Sequence, residues 1–136
     1  MPFLSTPFDE RDPVFSPDGH WIAYRSNESG RDEIYVQRYP STGRKWLVST
    51  RGGINPVWRK DGMELFYRNG DKMMVVSAHL GSEFTATKPQ TLFSGEFEDE
   101  YDVAPDGSRF IMVQRPPQAP RTLINVVLSL FGNRSE

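Results

Sequence analysis

The sequence predicts an all-β protein assembled from three copies of one antiparallel unit. Three segments resemble one another, beginning at Pro13, Pro56 and Tyr101, and each places an Asp-Gly pair between two short apolar runs. These pairs lie 43 and 45 residues apart. The composition agrees, because 11 glycines and 11 prolines are set among 9 Phe, 5 Tyr and 3 Trp residues. Short strands separated by regularly spaced turns indicate an all-β architecture.

The Asp-Gly pairs predict the first hairpin of each unit. Glycine accepts a positive φ and aspartate tolerates one, so the pair between two apolar runs favours a tight turn. The predicted structural turn residues are Asp18, Gly19, Asp61, Gly62, Asp106 and Gly107. Because these aspartates recur once per unit, we interpret them as turn formers and not as catalytic groups.

Apolar runs on either side of each turn predict the first two strands of the unit. In the three units, in order, the first strand ends near Phe15, Trp58 and Val103, and the second strand covers residues 21–24, 65–67 and 110–113. Third strands are predicted at 33–38, 72–78 and 122–130, and fourth strands at 45–49 and 90–94. The apolar run at 122–130 fits either a strand or a short helix.

A strand-rich repeat of about 40 to 45 residues is typical of a β-propeller blade. We therefore predict a single partial β-propeller domain of about three four-stranded blades. Residues 1–12 form an N-terminal closing strand, 13–55 the first blade, 56–100 the second, and 101–136 a third blade that lacks its own outer strand. Residues 3–6 align with the fourth strands of the first two blades.

Three blades do not close a ring, since propellers typically have about 4 to 8 blades. The first and last blades would leave apolar faces uncovered. We therefore expect a head-to-tail homodimer that forms a six-bladed propeller by strand exchange, in which residues 3–6 of each copy complete the last blade of the other. The alternative is that the chain is a fragment of a longer propeller.

The segment PVFSPDGHWIAYRSNESGRDEIYV, which begins at Pro13, resembles the Pro-Asp-Gly repeat of TolB-like propellers. Such propellers also occur in prolyl-oligopeptidase-type peptidases and as sensor regions fused to bacterial serine/threonine kinases. The later segments resemble the C-terminal blades of those kinase-fused propellers, although the second has Arg59-Lys60 instead of Ser-Pro and the third has Asp102-Val103 instead of Pro-aromatic. The resemblance implies the propeller fold, and propellers host many unrelated activities.

Composition and charge narrow the possible partners and locations. The net charge of −2 argues against a general nucleic-acid binder, and zero cysteines exclude disulfides and thiol catalysis. The longest apolar stretch, residues 123–131, is far shorter than the roughly 20 residues of a membrane span, so no membrane association is expected. The N-terminus has no signal-peptide pattern, and the sequence leaves the compartment open.

Catalytic and metal-binding motifs are missing from the sequence. The two histidines, His20 and His79, are interpreted as turn and strand-end residues, and the sequence contains no Gly-x-Ser-x-Gly elbow. Protein-kinase and Walker motifs are also missing. An acidic run (Glu96, Glu98, Asp99, Glu100 and Asp102) offers oxygen atoms for a cation, but we interpret it as a solvated loop. We therefore predict no metal, cofactor or catalytic residue.

The mouth of the central channel is the candidate binding surface, because ligands of rigid scaffolds meet the connecting loops. The candidate residues lie in the loops that lead into each innermost strand: Glu10, Arg11, Asp12, Ile54, Asn55, Glu100, Tyr101 and Asp102. The sequence favours a non-catalytic binding or scaffold module for a protein or peptide partner. Two alternatives stay open: a channel-based hydrolase or lyase acting on a saccharide or peptide, and a propeller fragment whose residues only cap strands.

Overall fold

The computed structural model describes residues 10–114 and the backbone of residues 126–128. These residues form twelve β-strands: β1 (Glu10–Phe15), β2 (Trp21–Ser26), β3 (Glu33–Arg38), β4 (Lys45–Leu47), β5 (Ile54–Trp58), β6 (Glu64–Asn69), β7 (Lys72–Leu80), β8 (Phe84–Ala86), β9 (Gln90–Ser94), β10 (Phe97–Val103), β11 (Phe110–Gln114) and β12 (Val126–Leu128). The described residues contain no helix, and therefore none that could cross a bilayer. The all-β prediction is confirmed.

The strands form three antiparallel sheets. The first sheet has the order β1-β2-β3-β4, and the third has the order β10-β11-β12. In the second sheet β5 pairs with β6 and β6 with β7, while the far edge of β7 pairs with both β8 and β9. Strands predicted at 33–38 and 90–94 are confirmed with the same bounds. The predicted closing strand, residues 3–6, and most of the predicted strand at 122–130 lie outside the described residues.

One strand pair was not predicted from the sequence. The predicted strand at 72–78 continues to Leu80, and a short connection returns it to β8, where Leu80 pairs with Phe84. The ring of Phe84 packs at 6.1 Å from Trp21 and at 6.1 Å from Trp46, both in the first sheet. The β7–β8 hairpin therefore fastens the second sheet to the first through an aromatic cluster.

Three hydrogen bonds, each donated by a backbone N–H, hold the first Asp-Gly turn. The Ser16 N–H donates to the Trp21 carbonyl at 2.8 Å, and the Gly19 N–H donates to the Ser16 carbonyl at 2.9 Å. The Asp18 carboxylate accepts the His20 N–H at 2.9 Å. Gly19 has a φ of 76°, a left-handed value that favours glycine. This turn fixes the register in which β1 and β2 pair.

The same bonds recur in the second and third turns. The Gly62 N–H donates to the Arg59 carbonyl at 2.8 Å, and the Asp61 carboxylate accepts the Met63 N–H at 2.9 Å. In the third turn, the Asp106 carboxylate accepts the Ser108 N–H at 3.0 Å, and Gly107 has a φ of 74°. The repeated sequence therefore folds into one repeated turn.

Two apolar cores lie between consecutive sheets. The core between the first and second sheets is formed by Trp21, Ala23, Ile34, Val36, Val48, Trp58, Leu65, Tyr67, Val76 and Phe84. The core between the second and third is formed by Phe66, Met73, Val75, Phe110 and Met112. Adjacent residues of a strand point to opposite faces, so β6 supplies alternate side chains to both cores. The second sheet is therefore covered on both sides.

Glu33 organises the connection from β4 into β5. Its buried carboxylate accepts hydrogen bonds from the Ser49 hydroxyl, from the Gly52 N–H at 2.9 Å and from Arg31 Nε at 2.7 Å. The next residue, Gly53, donates its N–H to the Asp32 carbonyl at 3.0 Å. These bonds place the start of β5 against the first sheet.

We expect Gly53→Ala to destabilise the protein, because a β-carbon at this position would lie 2.7 Å from Ile34 Cγ1 and 2.9 Å from Tyr67 Cδ2. Overpacking of this kind costs about 1–3 kcal/mol in the free energy of unfolding. Urea denaturation should show the lower midpoint. Gly81→Ala is the matched control, since its new methyl group would meet the end of the His79 side chain at 3.2 Å. Equal midpoints for the two variants would contradict the packing argument.

The lowered pKa values of the turn aspartates indicate a contribution to the free energy of unfolding that is lost in acid. The hydrogen bond from Arg59 lowers the pKa of Asp61 below its ordinary value, and hydrogen bonds to Ser16 and Ser108 do the same for Asp18 and Asp106. A lowered folded-state pKa supplies stability above the unfolded value of about 4, and this stability is lost as the pH falls through the folded value.

Asp61→Asn should therefore lower the free energy of unfolding at pH 7, by less than about 1 kcal/mol because the carboxylate is solvent-screened. The difference between wild type and variant should shrink when urea unfolding is repeated at progressively lower pH. Asp71→Asn, at an exposed aspartate in a different turn, is the control. A wild-type advantage over Asp61→Asn that stays constant with pH would contradict this assignment.

Candidate functional site

The three strands β1, β5 and β10 lie side by side, each at one edge of its own sheet. The candidate residues predicted to lie in loops before these strands lie within them instead, which corrects the sequence interpretation. The acidic segment around Glu98 to Asp102 is likewise part of β10. In each of these strands, backbone pairing with the next strand begins earlier than the sequence indicated. The pairing then has a register shift near the start of the strand.

The register shifts are β-bulges that re-aim the chain at the same point of β1 and β5. Asp12 has a φ of 57° and Asn55 a φ of 53°, which is left-handed backbone in non-glycine residues. Asp and Asn tolerate this conformation better than most residues, because a short polar side chain bonds locally. Bulges are common beside functional sites because they redirect side chains and backbone groups.

Asn55 connects all three sheets. Its backbone N–H donates to Asp12 Oδ2 at 3.4 Å, and its side-chain Nδ2 donates to the Asp99 carbonyl at 3.0 Å. Its carbonyl accepts the Tyr101 hydroxyl at 2.7 Å. A further bond from Trp58 Nε1 to the Val14 carbonyl, at 3.1 Å, joins β5 to β1. This network sets the relative positions of the three strands.

Arg25 is a site residue that the sequence interpretation missed. It lies on β2 and forms ion pairs with Asp12 at 3.2 Å and with Asp32 at 3.5 Å. The sequence contains a signal for this position, because Arg25 and Arg68 occupy the same position in the first and second units. Arg68 is fully buried and donates from Nη2 to the Gly70 carbonyl at 3.1 Å. The recurring arginine is therefore partly buried and ion-paired in the first unit, and fully buried in the second.

Two adjoining cavities open along the three strands. The first, of about 350 Å³, lies between Arg25 and the acidic residues Glu98, Asp99 and Glu100. The second, of about 210 Å³, has a largely apolar lining that includes Pro13, Val14, Pro56 and Val57. Both cavities are lined by Asn55 and Glu100. A charged cavity and an apolar one thus meet at shared residues.

The predicted candidate residues divide into two groups. The cavities bring together Asp12, Ile54, Asn55, Glu100 and Tyr101. Three others do not line them. Glu10 pairs with Ser26 at the start of β1, Arg11 is exposed opposite Arg25, and Asp102 is exposed opposite Ile111.

Tyr101 joins the cavity wall to the interior. Burial raises the pKa of its hydroxyl well above 10, and the nearby Arg68 guanidinium opposes this only in part. The hydroxyl therefore stays protonated and acts as a hydrogen-bond donor to Asn55 at neutral pH. Its role in the site is to hold the bulge of β5 against β10.

The described residues contain no cluster of three or more His, Cys, Asp or Glu side chains placed to hold a metal ion. His20 is exposed in the first turn, and His79 lies in β7 opposite Thr85. Neither histidine is among the residues that line the two cavities. The cavities thus present carboxylates, one guanidinium, one amide and one phenol, a set suited to hydrogen bonding and charge recognition.

Comparison with known proteins gives a structural similarity only. A scan against protein families and a search of curated proteins each gave no match. The similar solved structures include the crystal structure of TolB from Acinetobacter baumannii, with 20% sequence identity and a TM-score of 0.43. That similarity covers 92% of this chain and 44% of the TolB chain, so the chain spans less than half of TolB. A similarity at this level says nothing about binding or activity.

We expect Tyr101→Phe to lower the free energy of unfolding by about 0.5–1.5 kcal/mol, because it removes the hydroxyl bonded to the Asn55 carbonyl and leaves that acceptor without this donor. Thermal unfolding followed by circular dichroism measures the change. Tyr39→Phe, at a half-exposed tyrosine whose ring contacts Phe15, is the control. If both variants unfolded at the wild-type temperature, the bond would not contribute to the stability of the site.

Proposed function

We propose that the protein is a non-catalytic β-propeller module that binds a protein or peptide partner along β1, β5 and β10. The observation that carries this proposal is the pair of adjoining cavities that share Asn55 and Glu100. Three sheets supply their walls, and strands give a more rigid platform than loops. A binding surface of this kind needs no movement of the fold to become accessible.

The two cavities differ in a way that suits an extended peptide. An extended chain presents backbone donors and acceptors together with side chains of different chemistry at short intervals. The first cavity offers Arg25 and the carboxylates of Glu98 and Glu100, and the second offers the proline and valine side chains of β1 and β5. A small number of polar groups beside apolar surface is the usual composition of a recognition site. A peptide carrying a cationic side chain next to an apolar one fits this order.

The proposed module is completed by self-association. We interpret the three sheets as three blades, and two copies as a closed six-bladed ring. The outer edges of the sheets support this interpretation. The first and second sheets have a fourth strand, β4 and β9, whereas the described part of the third sheet ends with its third strand, β12. By repeat position, residues 3–6 correspond to a fourth strand that precedes β1. Strand exchange with a second copy would cover the β12 edge.

Peptide binding can be tested with a random heptapeptide library displayed on phage. We expect selected peptides to bind the wild-type protein and to lose about tenfold in affinity with Glu100→Gln. That loss corresponds to about 1.4 kcal/mol, near the lower end for a hydrogen bond to a charged group. Fluorescence anisotropy of the synthetic labelled peptides measures the dissociation constants.

Glu83→Gln is the matched control for this experiment. Glu83 is likewise an exposed carboxylate, it pairs with Arg44 at 2.8 Å, and it is not among the cavity residues. Wild-type affinity is expected for this variant. The proposal is wrong if the library yields no binder, or if both glutamine variants weaken the selected peptides equally.

A further inference from the structure

We propose that the two cavities bind an extended partner segment in which an arginine and a large apolar residue stand two positions apart. The arginine side chain enters the first cavity and the apolar side chain enters the second. This inference rests on the proposed function and specifies the chemistry and spacing of the peptide. The observation that carries it is the order of the two cavities along β5 and β10.

The cavities follow one another along these two strands. On β5, residues 54–55 line the first cavity and residues 55–57 line the second. On β10, residues 98–100 line the first cavity and residues 100–101 line the second. On both strands the lining therefore shifts by one to two residues, which is roughly 3–7 Å at the rise of a β-strand.

An extended peptide matches this shift with alternate residues. Successive side chains of an extended chain point to opposite sides, whereas side chains two positions apart point to the same side and lie about 7 Å apart. Two adjacent side chains cannot both point at the surface. Side chains four positions apart share a side but lie about 13 Å apart, which is farther than the cavities are displaced. A spacing of two positions is therefore the one that fills both cavities.

The first cavity favours a cationic side chain. Its lining includes the carboxylates of Glu98, Asp99 and Glu100, and the only cation among its described lining residues is Arg25. The Arg25 guanidinium already lies in ion pairs with two aspartates, at 3.2 and 3.5 Å, so its charge is balanced. A cation that enters this cavity from the partner therefore meets an excess of negative charge.

Arginine suits the first cavity better than lysine does. A guanidinium group presents five N–H donors in a planar fork and can bond to more than one carboxylate, whereas an ammonium group is a compact and strongly hydrated charge. Three carboxylates line the cavity, and its volume of about 350 Å³ leaves room for a long side chain. Lysine in the same peptide should therefore bind more weakly than arginine.

The second cavity favours an apolar side chain. Its lining includes Val14 and Val57 with the proline that precedes each of them, and its volume is about 210 Å³. Two polar groups in this lining satisfy each other, because the Tyr101 hydroxyl donates to the Asn55 carbonyl at 2.7 Å. An apolar side chain can therefore enter this cavity without depriving that pair of its hydrogen bond.

Synthetic peptides test the spacing. Each has an acetylated N-terminus, which leaves arginine as the only cation, and a fluorophore at the C-terminus. One pair carries leucine and arginine two positions apart in a Gly-Ser background, in both orders, and matched peptides place the same residues adjacent or three positions apart. Fluorescence anisotropy should show binding by at least one order of the two-apart pair. The adjacent and three-apart peptides should bind at least about tenfold more weakly, because one anchor side chain points away from the surface.

A double-mutant cycle tests the placement of the arginine. Glu98→Gln should weaken the two-apart peptide about tenfold. The same variant should not affect a peptide in which citrulline, which has a similar shape but no charge, replaces the arginine. Glu83→Gln, outside both cavities, is the control and should change neither affinity. Circular dichroism verifies that the variants are folded, and Asp99→Asn replaces Glu98→Gln if that variant does not fold.

A second cycle tests the placement of the apolar residue. Val57→Thr introduces a hydroxyl group into the wall of the second cavity while nearly preserving the shape of the side chain. It should weaken the two-apart peptide severalfold, because the leucine would then bury an additional polar group. A peptide with alanine in place of leucine should be much less affected.

Several outcomes would overturn the inference. Equal affinities of the adjacent and two-apart peptides would reject the spacing, and an equally tight lysine peptide would reject recognition of the guanidinium group. Equal weakening of the arginine and citrulline peptides by Glu98→Gln would reject the placement of the arginine. If library peptides bind but no designed peptide does, the inference fails and the proposed function stands. A protein that binds neither set rejects both.

Discussion

The packing of one sheet face on another is the constraint on which the rest of the structure depends. Each sheet has apolar side chains on both faces, and only the second sheet has a neighbour on both sides within the described residues. The close approach at Gly53 and the aromatic contacts of Phe84 show how tightly the first interface is made. Ile22, Tyr24 and Tyr35, on the opposite face of the first sheet from this interface, are buried as well, so both faces of that sheet exclude water.

The candidate site follows from this packing. Stacked sheets bring β1, β5 and β10 together along one edge. Each strand has a register shift near its start, and in β1 and β5 this is a bulge that carries Asp12 and Asn55. Asn55 then bonds to groups of the first and third sheets at once. Because these bonds fix the cavity walls in the absence of a partner, the proposed recognition surface is preorganised, and binding would require little ordering of the protein.

Repetition also explains which residues diverge. The turn aspartates have the same hydrogen bonds in all three units, so they serve the fold. Positions that face the cavities differ between units: Asp12, Asn55 and Glu100 are equivalent in the repeat but carry a carboxylate, an amide and a longer carboxylate. A surface built from such positions has no internal symmetry, so the binding proposed above would depend on the direction of an asymmetric ligand.

The sequence by itself determined the local structure of this protein. Asp-Gly turns and apolar alternation predict most strands because backbone conformation and side-chain direction are set by near neighbours. Five of the eight candidate residues, Asp12, Ile54, Asn55, Glu100 and Tyr101, line the cavities. Only the tertiary structure placed Arg25 there, extended β7 into the β8 hairpin and moved the predicted loops into bulged strands. The Arg25–Asp12 ion pair, the first pairings of β1, β5 and β10, and the contacts of Phe84 in β8 with Trp21 and Trp46 join residues more than a dozen positions apart, and no local pattern encodes such contacts.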